Sequence, residues 1–84
     1  MESPFSQVLG LLSKHGRLEL TFNKENVAKG DSFLIFSAYP EQKIKIGWIG
    51  DLVWVIFDGD SPMLLENCPE SFLESIIKVA GEQL

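Results

Sequence analysis

With 84 residues, 45% of them apolar and 23% charged, the chain has the composition of one folded domain spanning residues 1–84, not of a disordered segment. Its net charge of −5 opposes a phosphate backbone, so direct nucleic-acid binding is not expected. No apolar run reaches the roughly 20 residues that span a bilayer, the N-terminal Met-Glu-Ser-Pro lacks a secretory pattern, and the single cysteine, Cys68, excludes an internal disulfide framework; a cytoplasmic protein away from the membrane is expected.

The first element is a helix over Pro4–His15. Ser3 is its cap, and Pro4 suits the first turn because its missing N–H would be unpaired there anyway. Phe5, Val8, Leu9 and Leu12 recur at helical spacing, Lys14 and His15 complement the negative end of the dipole, and Gly16 supplies the stop. Residues 17–23 then alternate, with Leu18, Leu20 and Phe22 on one face and Glu19 and Thr21 on the other, which predicts a half-buried strand. A polar loop over 23–31 leads to a second expected strand at 32–39, apolar on both faces and closed by Pro40.

Residues 43–49 and Leu52–Phe57 flank Gly50-Asp51, the signature of a two-residue type II′ hairpin. That loop length predicts the register: Ile49 opposite Leu52, Trp48 opposite Val53, Gly47 opposite Trp54 and Ile46 opposite Val55. One face then carries Ile44, Ile46, Trp48, Val53, Val55 and Phe57, and the other Ile49, Leu52, Trp54 and Ile56 with Lys43 and Lys45. Met63-Leu64-Leu65 is too short to classify. A final helix is expected over residues 69–82, capped by Asn67 or Cys68, with Phe72, Leu73, Ile76, Ile77 and Ala80 as its buried stripe. The fold class is α+β in the order αββββα: a four-stranded antiparallel meander packed with an N-terminal and a C-terminal helix.

Chemistry-bearing patterns are few. Asp58-Gly59-Asp60 opens like a calcium loop, but Pro62, Met63, Leu64 and Leu65 follow where further oxygen ligands are needed, so no metal site is expected. Cys68 lies near a helix N-terminus, where the dipole favours a thiolate, yet a nucleophile would also need a base, and the only histidine, His15, belongs to the other helix. No phosphate loop, dinucleotide fingerprint, nucleophile elbow or zinc-protease motif is present. No cofactor or catalytic residue is assigned, and the chain is read as a non-enzyme. A helix–sheet–helix order also describes double-stranded RNA-binding domains, whose second helix opens with phosphate-gripping basic residues. The corresponding stretch here, Glu66-Asn67-Cys68-Pro69-Glu70-Ser71, has none, so the similarity is one of layout.

Two surfaces remain. If both helices cover the Trp48 face, then Ile49, Leu52, Trp54 and Ile56 are left as an apolar patch, of the kind that marks a partner surface. The alternative, one helix on each side, would bury them. The second surface is acidic. Residues 1–50 net +1 and residues 51–84 net −6, and Asp58, Asp60, Glu66, Glu70 and Glu74 gather at one end. The sequence therefore predicts a small acidic protein-binding domain acting stoichiometrically as an adaptor, chaperone-like protein or inhibitor, with a protein partner and homodimer formation. Trp54 would be its anchor and the acidic end would set orientation. The alternative reading is an acidic inhibitor that mimics nucleic acid on a basic protein; a small enzyme with an unrecognised site ranks third. In a simple meander Leu52–Phe57 would lie at the sheet edge, to be covered by a second copy, a partner's strand, or Met63–Leu65 folding back.

Overall fold

The structure, a computed structural model, describes residues 3–23, 41–57 and 62–84. Among these residues the order is α1 (Pro4–His15), β1 (Leu18–Asn23), β2 (Glu41–Ile49), β3 (Leu52–Phe57), β4 (Met63–Leu64), a 3₁₀ turn (Leu65–Asn67) and α2 (Glu70–Gln83). The four strands form one antiparallel sheet in the order β1-β2-β3-β4. This is the αββββα meander expected. The strand expected at 32–39, most of the loop before it, and Asp58 and Asp60 lie outside the described residues. The fourth described strand is the Met63–Leu64 pair, whose two residues are too few to show a period.

Local signals place α1 as predicted. The Ser3 hydroxyl accepts from the Ser6 N–H at 3.2 Å, and Gly16, at φ 82°, donates its N–H to the Leu12 carbonyl at 2.7 Å. The hairpin register is also as predicted, Ile49 with Leu52 through Ile46 with Val55. Gly50 has φ 63° and Asp51 does not have positive φ, which makes the turn type II′.

Both helices cover the same sheet face. Leu18, Leu20 and Phe22 of β1, Ile44 and Ile46 of β2, and Val53, Val55 and Phe57 of β3 form one buried cluster with Val8 and Leu12 of α1 and Phe72, Leu73, Ile76 and Val79 of α2. Phe72 is the hub, its ring 5.7 Å from that of Phe22 and 6.0 Å from that of Phe57. Ile77, expected in this stripe, is only partly buried, and Val79 takes its place. Ser75, buried on the same helix, donates its hydroxyl to the Ser71 carbonyl at 3.0 Å and so carries no polar penalty.

The start of α2 differs from expectation. Neither Asn67 nor Cys68 caps it. Asn67 ends the 3₁₀ turn, Cys68 turns inward, and Pro69 stands at the cap with no side-chain bond; its carbonyl accepts from Phe72 and Leu73 at 3.0 and 3.1 Å. A thiol recruited into the core cannot also cap. No helix among the described residues is long and apolar enough to cross a membrane.

The far end of α2 guards the outer edge of β1. The Thr21 N–H donates to Gln83 Oε1 at 3.0 Å, and Gln83 Nε2 donates to the Thr21 carbonyl at 2.7 Å, so one side-chain amide pairs with the strand as a neighbouring peptide would. Replacing Gln83 by alanine should cost only about 0.5–1.5 kcal/mol, because both groups then bond to water. Amide exchange at Thr21 should accelerate about five-fold, the equivalent of one net hydrogen bond, while that of Leu20, which points into the β1–β2 ladder, stays slow. Unchanged protection of Thr21 by NMR would show the clamp to be ornamental.

Candidate protein-binding surface

Strand lengths decide what the hairpin exposes. β1 begins at Leu18, opposite Ile46, and β4 pairs only with Trp54 and Val55. The tip from Trp48 to Val53 therefore projects as a two-stranded ribbon with no flanking strand among the described residues. Apart from Leu84, every exposed large hydrophobic residue described lies on this hairpin: Trp48 at 50%, Ile49 at 58%, Leu52 at 46% and Ile56 at 37% of full exposure.

Three of these, Ile49, Leu52 and Ile56, are outer-face residues singled out from the sequence. Trp48 is a correction: its strand position puts it on the core face, but it stands beyond Ile46, the last residue of β2 that pairs with β1, and is left half exposed beside Phe5 and Leu9 of α1. Trp54 is half-buried on the outer face, directly opposite Leu64 of β4, and contributes less free surface than its size suggested. β3 is likewise not an edge strand, since β4 pairs with it; of the three covers considered for it, the chain's own Met63–Leu64 is the one found.

The outer face has a dent at Gly47. Without a side chain there, a cleft of about 200 Å³ opens between Ile49 and Ile56, bordered by Arg17, Glu19 and Lys45. Gly47 pairs with Trp54 as expected, but the atom nearest to where a Cβ would stand is Arg17 Cβ at 3.8 Å, so the indole does not fill the gap.

Around the tip, on the helix side, lies a second cleft of about 210 Å³. Phe5 and Leu9 of α1 face Trp48 and Leu52 of the hairpin there, with Asp51 from the turn and Glu66 from the 3₁₀ segment at the rim. Glu66, Glu70 and Glu74 are exposed, and Glu66 shares this cleft with the hairpin. Asp58 and Asp60 lie outside the described residues. Asp51 was missed from the sequence because its turn role accounted for it.

Cys68 is buried. Its thiol points at the Leu64 carbonyl at 3.6 Å and at Met63 Sδ at 3.7 Å, and burial pushes its pKa from 9.0 up to about 11. The dipole effect considered from sequence is thus outweighed by desolvation. His15 makes no hydrogen bond to it and lines a groove between α1 and α2 with Lys14, Gly10 and Gly81. Among the described residues no group of three or more His, Cys, Asp or Glu is placed to hold a metal ion.

Compared with protein-family models, curated proteins and solved structures, the chain matches none.

Three outcomes follow. A Cβ at position 47 meets only ordinary contact, and glycine within a strand costs roughly 0.5–1 kcal/mol against alanine. Gly47→Ala should therefore raise urea stability by about 0.5 kcal/mol or more, and a loss would show the site to be tighter than its geometry. Cys68 should be alkylated by iodoacetamide at pH 8 about 100-fold more slowly than an unshifted thiol, as thiolate fraction dictates, and become fast in urea. Between 9.0, where the unfolded thiol ionises, and about 11, where the folded one does, the unfolded state binds fewer protons. Stability should fall with rising pH across that window, with no contribution from this group below it.

Proposed function

We propose that the chain is a non-catalytic, cytoplasmic protein-binding domain that acts stoichiometrically, as an adaptor, chaperone-like protein or inhibitor does. The observation that carries this reading is the concentration of exposed large apolar side chains, Trp48, Ile49, Leu52 and Ile56, on one projecting hairpin. A monomeric domain has no use for such a ridge, whereas a partner surface does.

Magnitudes limit what the ridge does alone. Covering the exposed half of each side chain contributes about 1 kcal/mol, roughly 4 kcal/mol for the four. Association costs an estimated 4–15 kcal/mol in lost freedom, so the apolar ridge needs support from polar and charged contacts. Asp51 and Glu66 beside the tip, and Glu70 and Glu74 on α2, favour a partner with positive charge and would steer its approach. A second copy of the chain, although acidic as a whole, offers cations locally: Arg17, Lys43 and Lys45 are exposed on β2 and just before β1.

The double variant Ile49→Lys, Ile56→Lys tests this reading, since both side chains are exposed and the fold should survive by circular dichroism. Sedimentation should show the wild type associating, with itself or with a protein captured from its host, and the variant failing to do so. If the wild type sediments as a monomer at the highest concentration reached and captures the same proteins as the variant, the reading is wrong.

A further inference from the structure

We propose that the cleft at the hairpin tip receives an arginine side chain presented by a partner protein. This rests on the reading of the tip as a protein-binding surface and gives the partner's chemistry. At about 210 Å³ the cleft falls below the roughly 300–1,000 Å³ of small-molecule pockets. It fits one long side chain better than a nucleotide or a folded segment. Its walls, Phe5, Leu9 and Leu52, suit an aliphatic stem, and Trp48 offers an indole that is half open to solvent.

The rim selects the head group. Asp51 and Glu66 reach the same cleft from two different elements, and neither forms an ion pair with a cation among the described residues; the ion pair found there is Arg17–Glu19 at 3.7 Å, on the outer face. Two unpaired carboxylates beside an indole favour a cation. A guanidinium is the better fit than an ammonium, because it is planar, weakly hydrated, stacks on indole and donates to carboxylates along its edge. The other clefts lack this agreement. Arg17, Glu19 and Lys45 mix signs at the Gly47 dent, and the α1–α2 groove is wide and carries Lys14 and His15.

The test uses the full chain labelled with ¹⁵N and three probes: acetyl-arginine amide, acetyl-lysine amide and acetyl-citrulline amide, the last having arginine's shape without its charge. Arginine amide should shift the Trp48 indole N–H and the Asp51 and Glu66 amides saturably, more tightly than lysine amide, with citrulline amide inert and affinity falling as salt rises. Glu66→Gln, which leaves the hairpin turn untouched, should weaken arginine binding about five-fold, the worth of one favourable exposed charge contact, and Asp51→Asn with Glu66→Gln should weaken it further. Trp48→Leu should weaken it similarly. The Ile49→Lys, Ile56→Lys variant should still bind, which separates this site from the wider reading. Arginine binding that survives while no partner depends on Ile49 and Ile56 supports the cleft and fails the wider function. Equal responses to arginine and citrulline, no saturable shift at any attainable concentration, or a response indifferent to Asp51 and Glu66 overturns the proposal, even if a partner is held by Ile49 and Ile56.

Discussion

The turn at Gly50 and Asp51 fixes the register of β2 against β3, and with it the face to which every hairpin side chain belongs. Only a residue free to take positive φ closes a two-residue type II′ loop without strain, and Gly50 does so at 63°. A slip of one residue would exchange the faces. Val53, Val55 and Phe57 would leave the helices and Leu52, Trp54 and Ile56 would enter them. The core is one-sided, with Phe72 packed on Phe22 and Phe57, so it accepts only the native register. The apolar outer ridge is the other consequence of the same constraint: what the register does not bury, it presents.

Elements with local signals could be read from the sequence. α1 begins and ends where Ser3, Pro4 and Gly16 place it, and β1 and the hairpin follow from strict alternation around a recognisable turn. Features that depend on relative lengths could not. Trp48 reads as core because its face is core; its exposure arises because β1 starts opposite Ile46 and leaves the tip unsupported, a relation between distant segments. β4 has two residues and no period to detect. At the head of α2 two local rules compete for Cys68, capping and burial, and the tertiary one prevails. In the candidate site, Ile49, Leu52 and Ile56 were legible because the register assigns their face. Asp51 was not, because its meeting with Glu66 requires the 3₁₀ segment to return beside the turn.

The sheet's edges bear on how a partner could approach. An uncovered strand such as Leu-Val-Trp-Val-Ile-Phe is a template for pairing with another chain. Here β4 pairs with Trp54 and Val55, and the Gln83 amide occupies both outward groups of Thr21 on β1. Each cover is short, yet each sits at mid-strand, where an incoming strand would need continuous pairing. Backbone augmentation is thereby disfavoured along β1 and β3 among the described residues. On the proposed reading, recognition would fall instead to side chains, on the outer face and at the tip.

Side-chain recognition at a projecting ribbon has its own energetic logic. The tip lacks flanking strands among the described residues, and Trp48 and Leu52 share one cleft with Phe5 and Leu9 of α1. An isolated two-stranded ribbon is marginal in water, and here Val53 anchors the tip in the core cluster. On the proposed reading, such an anchor would lower the entropy cost of binding, the main opposition to a ridge that contributes only a few kcal/mol. Trp48, half exposed in that cleft, would then be open to the cation proposed for it.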